Sequence, residues 1–346
     1  MSIAPNLSSL LSRGHIAEPD SVGIPPRNLL FMRIVMPGGT GQVGTLLARA
    51  FRADGHDVVV LSRHPAPAPW RTAAWDPRVV GPWTSELDGA DVVIGLAGRN
   101  VNCRYTPENR RAIFDSRVES TRVLGQAIAR CRRPPAIWLQ ASTATIYSHR
   151  FDAPNDDVTG VIGGREIEAP PSWRFSIEVA TAWERAATDN VTSATRLVLL
   201  RSAMVMSPDA GGIFAMLRRL ARLGLGGPVA GGAQYVSWMH DRDFVRAMYW
   251  LIEHLELAGA VNIASPNPLP YGDFMRALRR AVHMPIGLPA TRGMLELGVR
   301  LLGTESELVL KSRRVVPRRL LDSGFVFEYP EWPAAVAELV RRRPQS

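Results

Sequence analysis

The chain has 346 residues, 46% of them hydrophobic, and a formal charge of +9. This is enough apolar material for a large core, while apolar runs such as Val92 to Ala97 and Leu197 to Leu200 are too short to span a bilayer. The two cysteines, Cys103 and Cys131, have neither disulfide-framework nor metal-ligand spacing, and the arginines form scattered short groups without interleaved aromatics, so neither a metal nor a nucleic acid is expected.

Residues 1–31 carry Pro5, Gly14, Pro19, Gly23, Pro25 and Pro26 and show no period of their own. They read as a disordered tail, or as the product of a start assigned upstream of Met32. Arg33 to Met36 is a short strand, stopped by Pro37. Gly38, Gly41 and Gly44 follow at GxxGxxG spacing, with Gly39 as an added hinge and Thr40, Gln42 and Val43 between them. Glycines let this turn tighten and bring its amides against a pyrophosphate that a Cβ would hold away. The helical stripe from Val43 to Phe51 offers the same anion its N-terminal N–H groups. Val58 to Leu61 is the next parallel strand, ending at Ser62 and Arg63. An acid at that point would suit the ribose 2′-OH of NAD, whereas a hydroxyl followed by a guanidinium suits a 2′-phosphate; the expected cofactor is NADP(H).

After Arg63 the prolines at 65, 67 and 69 and Trp70, Trp75 and Trp83 mark a loop-rich connection. Asp91 to Leu96 is a buried strand whose end, Leu96, Ala97 and Gly98, lies on the carboxyl edge where ligands bind. A helix over Thr106 to Arg130 leads to a strand over Ala136 to Ala141, which runs into the hydroxyl-rich Ser142 to Tyr147. A helix over Pro170 to Ala187 and a strand over Thr195 to Ser202 come next. From Asp209 the chain turns glycine-rich around a basic helix ending near Leu223, then reaches Tyr235 to Val245, where Asp243 is placed to cap a helix over Phe244 to His254. A late strand at Val261 to Ala264 and helices around Asp273 to Val282, Met294 to Leu302 and Pro333 to Arg341 complete the chain.

Strands alternating with helices specify an α/β fold, a doubly wound parallel sheet of Rossmann type. The expected division is an NADP(H)-binding domain over 32–205 and a smaller C-terminal substrate lobe over 206–346, with the strand at 261–264 returning to the sheet. A small-molecule substrate and a cytoplasmic location are expected; no membrane partner is, and a homodimer is left open.

The glycine turn, the LAG at Leu96 to Gly98, the STATIY at Ser142 to Tyr147 and the SWMHDRD at Ser237 to Asp243 resemble the extended short-chain dehydrogenase/reductases. A narrower resemblance rests on DSRVEST (Asp115 to Thr121), AWE (Ala182 to Glu184), Gly211 and Gly212, and RRVVPRRLLDSGFVFEYP (Arg313 to Pro330). These segments look like the atypical branch labelled epimerase family protein, which carries a C-terminal domain of unknown function.

In the superfamily a serine or threonine, a tyrosine and a lysine act together, nearby positive charge stabilising a phenolate that is otherwise a poor base at pH 7. The resemblance puts Thr143 at the hydroxyl position, with Ser142 adjacent, but Ser176 and Ala180 where the tyrosine and lysine would sit. The only lysine in the chain is Lys311. Tyr147 is the candidate proton donor, and Glu184 is placed to orient a substrate hydroxyl. His149 reads as an exposed turn histidine, His240 as a structural residue or a substrate contact, Gln234 and Trp238 as substrate contacts, and Arg201 as a further pocket residue. Two functions follow: an NADP(H)-dependent oxidoreductase or epimerase-like enzyme on a small carbonyl, hydroxyl or sugar-nucleotide-like compound, or a catalytically silent NADP(H)-binding sensor.

Overall fold

The computed structural model describes residues 31–167, 169–291, 293 and 305–343. The tail read over residues 1–30 and the helix read over Met294 to Leu302 lie outside the described residues.

The strands are β1 (Arg33–Pro37), β2 (Asp57–Ser62), β3 (Arg71–Ala74), β4 (Val92–Gly95), β5 (Ile137–Thr143), β6 (Arg196–Ser202), β7 (Met204–Met206), β8 (Tyr235–Val236), β9 (Trp238–His240), β10 (Gly259–Ile263) and β11 (Leu269–Pro270). Seven of them form one sheet in the order β10-β6-β5-β4-β1-β2-β3, and every pairing in it is parallel. Strands covered on both faces must be apolar along their whole length, which is why VVVL in β2 and VVIG in β4 read as continuous runs. The order reverses between β1 and β4, the point at which a doubly wound sheet opens a crevice at its carboxyl edge.

The first six longer helices are α1 (Gln42–Ala53), α2 (Pro107–Ile128), α3 (Arg174–Thr188), α4 (Ile213–Arg222), α5 (Asp241–Glu253) and α6 (Tyr271–Ala281). Right-handed crossovers place helices on opposite faces either side of the reversal. Accordingly α1 meets α5, where Phe51 and Tyr249 pack edge to face at 5.0 Å and the Tyr249 hydroxyl donates to Asp54 at 2.6 Å. On the other face α2 meets α3, where the Trp183 indole donates to Thr121 Oγ1 at 2.9 Å. Val123, Leu124, Ala127 and Ile128 of α2 close the core over Val93 and Trp138.

Two expectations are corrected. The stretch after Arg63 is not all loop: Arg71–Ala74 forms the edge strand β3, parallel to β2. Its RTAA sequence is short and largely uncovered, so it carries none of the apolar signal of its neighbours. Asp243 does not cap a helix beginning at Phe244. Helix α5 starts three residues earlier, at Asp241, and its cap is His240, whose ring accepts from the Arg242 amide at 3.2 Å. Asp243 is wholly buried instead and accepts from the amides of Glu328 and Tyr329, both at 2.8 Å.

Strand β10 pairs with β6 in register Gly259 with Val198 through Ile263 with Ser202. The C-terminal residues also return to the sheet's carboxyl end. Arg314 accepts from the Asn155 amide at 2.7 Å, and the Val316 amide donates back to Asn155 at 3.0 Å.

Candidate active site

The glycine turn joins β1 to α1 at the order reversal. Gly38 has φ of +77°, and a Cβ there would lie 2.5 Å from the Ala97 Cα, so only glycine lets the turn meet the β4 loop. That loop is held by the Leu96 amide donating to the Pro37 carbonyl at 2.9 Å. At Gly44 a Cβ would meet the Gly39 carbonyl oxygen at 2.2 Å, which fixes how closely α1 packs on the turn. Gly41 differs, for a Cβ there would meet nothing within 4 Å. It is the N-cap of α1, without a side-chain cap and without an acid in the first turn, so the first amides of the helix face open space together with exposed Thr40. Val43 is half-buried, and Gln42 packs its amide against Gly212, where a Cβ would approach it to 2.3 Å. Across the edge, Ser62 is buried with its Oγ accepting from the His64 amide at 3.2 Å, while Arg63 is exposed. Gly98 is exposed, and a Cβ on it would stand 3.2 Å from the Arg117 guanidinium carbon. These residues fit a dinucleotide: a cradle that side chains would fill, uncapped amides for a pyrophosphate, and no carboxylate at the end of β2.

At the end of β5, Thr143 is half-buried and its Oγ1 accepts from the Thr145 amide at 3.1 Å. The neighbouring polar residues form one network. Ser142 Oγ donates to Glu184 Oε1 at 2.6 Å, and Arg201 grips both oxygens of Glu184 at 2.8 Å each. Arg201 also donates to the Tyr147 hydroxyl at 3.0 Å, and that hydroxyl donates to Asn262 Oδ1 at 2.8 Å. Burial alone would weaken the Arg201 proton, but Glu184 and Tyr147 outweigh it and hold the guanidinium more firmly charged than a free arginine. Burial pushes the Tyr147 phenol above its usual range despite Arg201.

Tyr147, expected as a proton donor, and Glu184, expected to orient a substrate hydroxyl, are therefore brought together, but as parts of a satisfied network. Tyr147 is 2% exposed and both sides of its hydroxyl are engaged. Of the three expected substrate contacts, Gln234 and Trp238 are buried away from any ligand, and His240 takes the structural one of its two expected roles. Trp238 and His240 are 0% exposed; Trp238 packs against Trp332, and His240 bonds Glu338 at 3.0 Å under the Tyr329 ring. Gln234 is buried and donates to the Val229 and Val309 carbonyls. Their motif is legible because it anchors the C-terminal segment. His149 is not a free turn histidine either, since its Nδ1 accepts from the Ser312 amide at 2.8 Å.

Position 180 is a buried alanine packed with Ala144, Ile146, Tyr147 and Val315, and Ser176 donates to Glu307 Oε2 at 2.6 Å. Lys311, remote in sequence, is near in space, its Nζ donating to the Thr145 carbonyl at 2.8 Å. Its singularity in the chain was the one signal for it. No cluster of metal ligands occurs among the described residues, and no helix among them is long and apolar enough to cross a membrane.

Residues 34–264 match the model of the NAD dependent epimerase/dehydratase family. The chain belongs to that family. Residues 292–339 of this family member also match a domain of unknown function, DUF1731, the pairing that the C-terminal segment suggested. It is 32% identical over 314 residues to the epimerase family protein SDR39U1 of Bos taurus, covering 89% of this chain and 100% of the relative. With the epimerase family protein YfhF of Bacillus subtilis it shares 28% over 315 residues, 90% of this chain and 99% of the relative. The crystal structure of human epimerase family protein SDR39U1 (isoform 2) with NADPH superposes with a TM-score of 0.77 at 28% identity, covering 89% of this chain and 99% of that one. A UDP-N-acetylglucosamine 4-epimerase from Bacillus cereus shares the fold, with a TM-score of 0.66 at 17% identity over 89% and 95% of the two chains.

Proposed function

We propose that this chain is an NADP(H)-dependent oxidoreductase acting on a small carbonyl, hydroxyl or sugar-nucleotide-like compound. The observation that carries the reading is the cradle at the end of β1: Gly38 forced against Ala97, Gly41 facing open space, and Ser62 and Arg63 where an NAD site would carry an acid. The NADPH in the solved human relative supports the choice of cofactor.

Bound NADPH supplies hydride. The chain's own residues do the rest. The amides at the start of α1 would hold the pyrophosphate, and Arg63 would hold the 2′-phosphate. Thr143 Oγ1 already accepts from the Thr145 amide, which leaves its O–H to hold a substrate oxygen. Glu184 and Arg201 keep the end of β5 in place through Ser142. Tyr147 acts through Arg201 as a positioning residue.

The test is NADPH consumption, followed at the nicotinamide absorbance, over a panel of aldehydes, ketones and sugar nucleotides. Substrate-dependent loss of NADPH that falls at least tenfold in Thr143→Ala is expected. NADPH binding with no turnover on any of them would instead favour the silent sensor, a reading that the alanine at 180 and the engaged Tyr147 hydroxyl keep in view.

A further inference from the structure

The loops that follow α4 and α6 form a face that the cofactor cradle does not use. The two helices share a core in which Phe214, Leu217 and Ala221 meet Phe274, Met275 and Leu278. Beyond that core their loops run together. The Gly224 carbonyl accepts from the Leu288 amide at 2.8 Å, and a Cβ on Gly224 would lie 3.8 Å from Ile286 Cγ2. Leu223, Leu225, Ile286 and Leu288 are thereby gathered about one glycine, yet they are 61%, 52%, 59% and 56% exposed. Exposed Met216 extends the group along α4, about two helical turns before Leu223. Single aliphatic side chains on a surface need no account, but a contiguous group of large ones marks a place where something else binds.

The charges around this face are of one sign. From Ala210 to His240, and again from Phe274 to Thr291, the chain carries no aspartate or glutamate, while six arginines fall within those stretches. Arg276 pairs with Asp273, Arg279 donates to the Gly226 carbonyl and Arg218 lies over the Phe214 ring. Arg219, Arg222 and Arg280 are exposed and have no carboxylate partner among the described residues. Elsewhere arginines are paired, as Arg33 is with Glu86, Arg201 with Glu184 and Arg342 with Asp241. Arg219 also shares one stripe of α4 with Met216 and Leu223, at the spacings that bring side chains together on a helix.

Aliphatic side chains ringed by unpaired guanidinium groups complement a surface that is anionic above and apolar below, which is the order of an anionic bilayer. A second copy of the chain fits poorly, since a two-fold contact would set Arg219 and Arg222 against their own equivalents with no carboxylate between them. Nucleic acid supplies phosphates but nowhere to bury four aliphatic side chains. The face also lacks tryptophan and tyrosine, the usual anchors of a protein partner. The sequence leads to no membrane partner, and no described helix is long and apolar enough to cross one, but docking on a membrane surface requires no such span.

We propose that the face formed by Leu223, Leu225, Ile286 and Leu288 and rimmed by Arg219 and Arg222 docks the protein on an anionic phospholipid membrane. The inference is independent of the cofactor and of the reaction. Helix α4 nevertheless joins the two regions: its N-cap Gly212 meets Gln42 at the glycine turn, and its other end, about 15 Å away, opens onto the docking face.

The experiment is flotation of the full chain on a density gradient with vesicles of phosphatidylcholine alone or mixed with phosphatidylglycerol. The wild type is expected to float with the mixed vesicles and to stay behind with the neutral ones. Leu223→Ser with Leu225→Ser, and separately Arg219→Gln with Arg222→Gln, should each lower partitioning about tenfold or more while leaving thermal unfolding unchanged. Arg130→Gln with Arg132→Gln removes the same charge beyond the end of α2 and should float as the wild type does. A wild type that stays behind with both vesicles overturns the proposal. So does an equal loss in the Arg130 and Arg132 pair, which would reduce the attraction to net charge. Flotation that the leucine pair leaves unchanged overturns it as well, since phosphate contact alone would then suffice, as in a nucleic-acid site. A dimer in sedimentation equilibrium that the leucine pair dissolves would make the occupant a second copy instead. Ile286→Ser with Leu288→Ser decides the matter if the leucine pair does not fold.

Discussion

At the scale of single residues, the buried Lys311 makes a signed prediction about stability. Burial first, and then Arg313, lower it from 10.5 to about 8. Between those values the unfolded chain binds a proton that the folded chain has lost, so this lysine makes stability rise with pH across that window. Below about 8 both states carry the proton, and the folded chain bears the full cost of burying it. Lys311→Met removes this dependence. The wild type is therefore expected to gain on the order of 2 kcal/mol relative to the variant between about pH 7.5 and about pH 10.5. Urea melts of both proteins at the two ends of the window measure it; parallel pH profiles would show that another group titrates. Glu307 runs the other way, since its raised carboxyl favours the folded chain below the ordinary glutamate range and loses that contribution as pH rises through its own.

Among elements, the β1–α1 turn separates fold from binding at two glycines. Gly38→Ala forces a side chain into a positive-φ position 2.5 Å from the Ala97 backbone, and should cost about 2 kcal/mol or more along with the cofactor. Gly41→Ala adds a methyl to open space on an extended N-cap and should cost no more than about 1 kcal/mol. It should nevertheless weaken NADPH at least tenfold, because the proposed pyrophosphate site occupies that space. Thermal melts beside fluorescence titrations distinguish the two; a Gly41→Ala protein that binds NADPH as the wild type does would put the pyrophosphate elsewhere. Legibility followed the same physics. Strands buried on both faces and a turn that tolerates only glycine leave strong local patterns, and so β1, β2, β4, β5 and β6 were readable. Edge strand β3 was not, because RTAA buries little. The cap of α5 was misread because an aspartate before an apolar run is the commoner cap, while Asp243 is spent on amides of Glu328 and Tyr329, 85 and 86 residues away.

For the whole molecule, the C-terminal segment completes a second core with α4 and α6 and also straps across to the carboxyl end of the sheet. Trp332 stacks on Phe274 at 4.1 Å, and Lys311 reaches Thr145 across 166 residues of sequence. No periodicity carries such contacts, which is why Trp238 and Gln234 looked like pocket residues and Glu307 drew no notice. Asp243 measures the strap's contribution. Asp243→Ala leaves two amides and the Arg246 guanidinium without their acceptor, and should lower stability by about 3 kcal/mol. Chemical denaturation reads this directly, and a loss below about 0.5 kcal/mol would mean the strap is held elsewhere.

All of these scales meet at the dinucleotide cradle, and calorimetric titration of the full chain with NADPH and with NADH, repeated on Arg63→Asp, tests it most directly. Micromolar or tighter NADPH, NADH at least tenfold weaker, and a reversal of that preference in Arg63→Asp are expected. A wild-type chain that binds neither cofactor, or a preference that Arg63→Asp leaves unchanged, would contradict it.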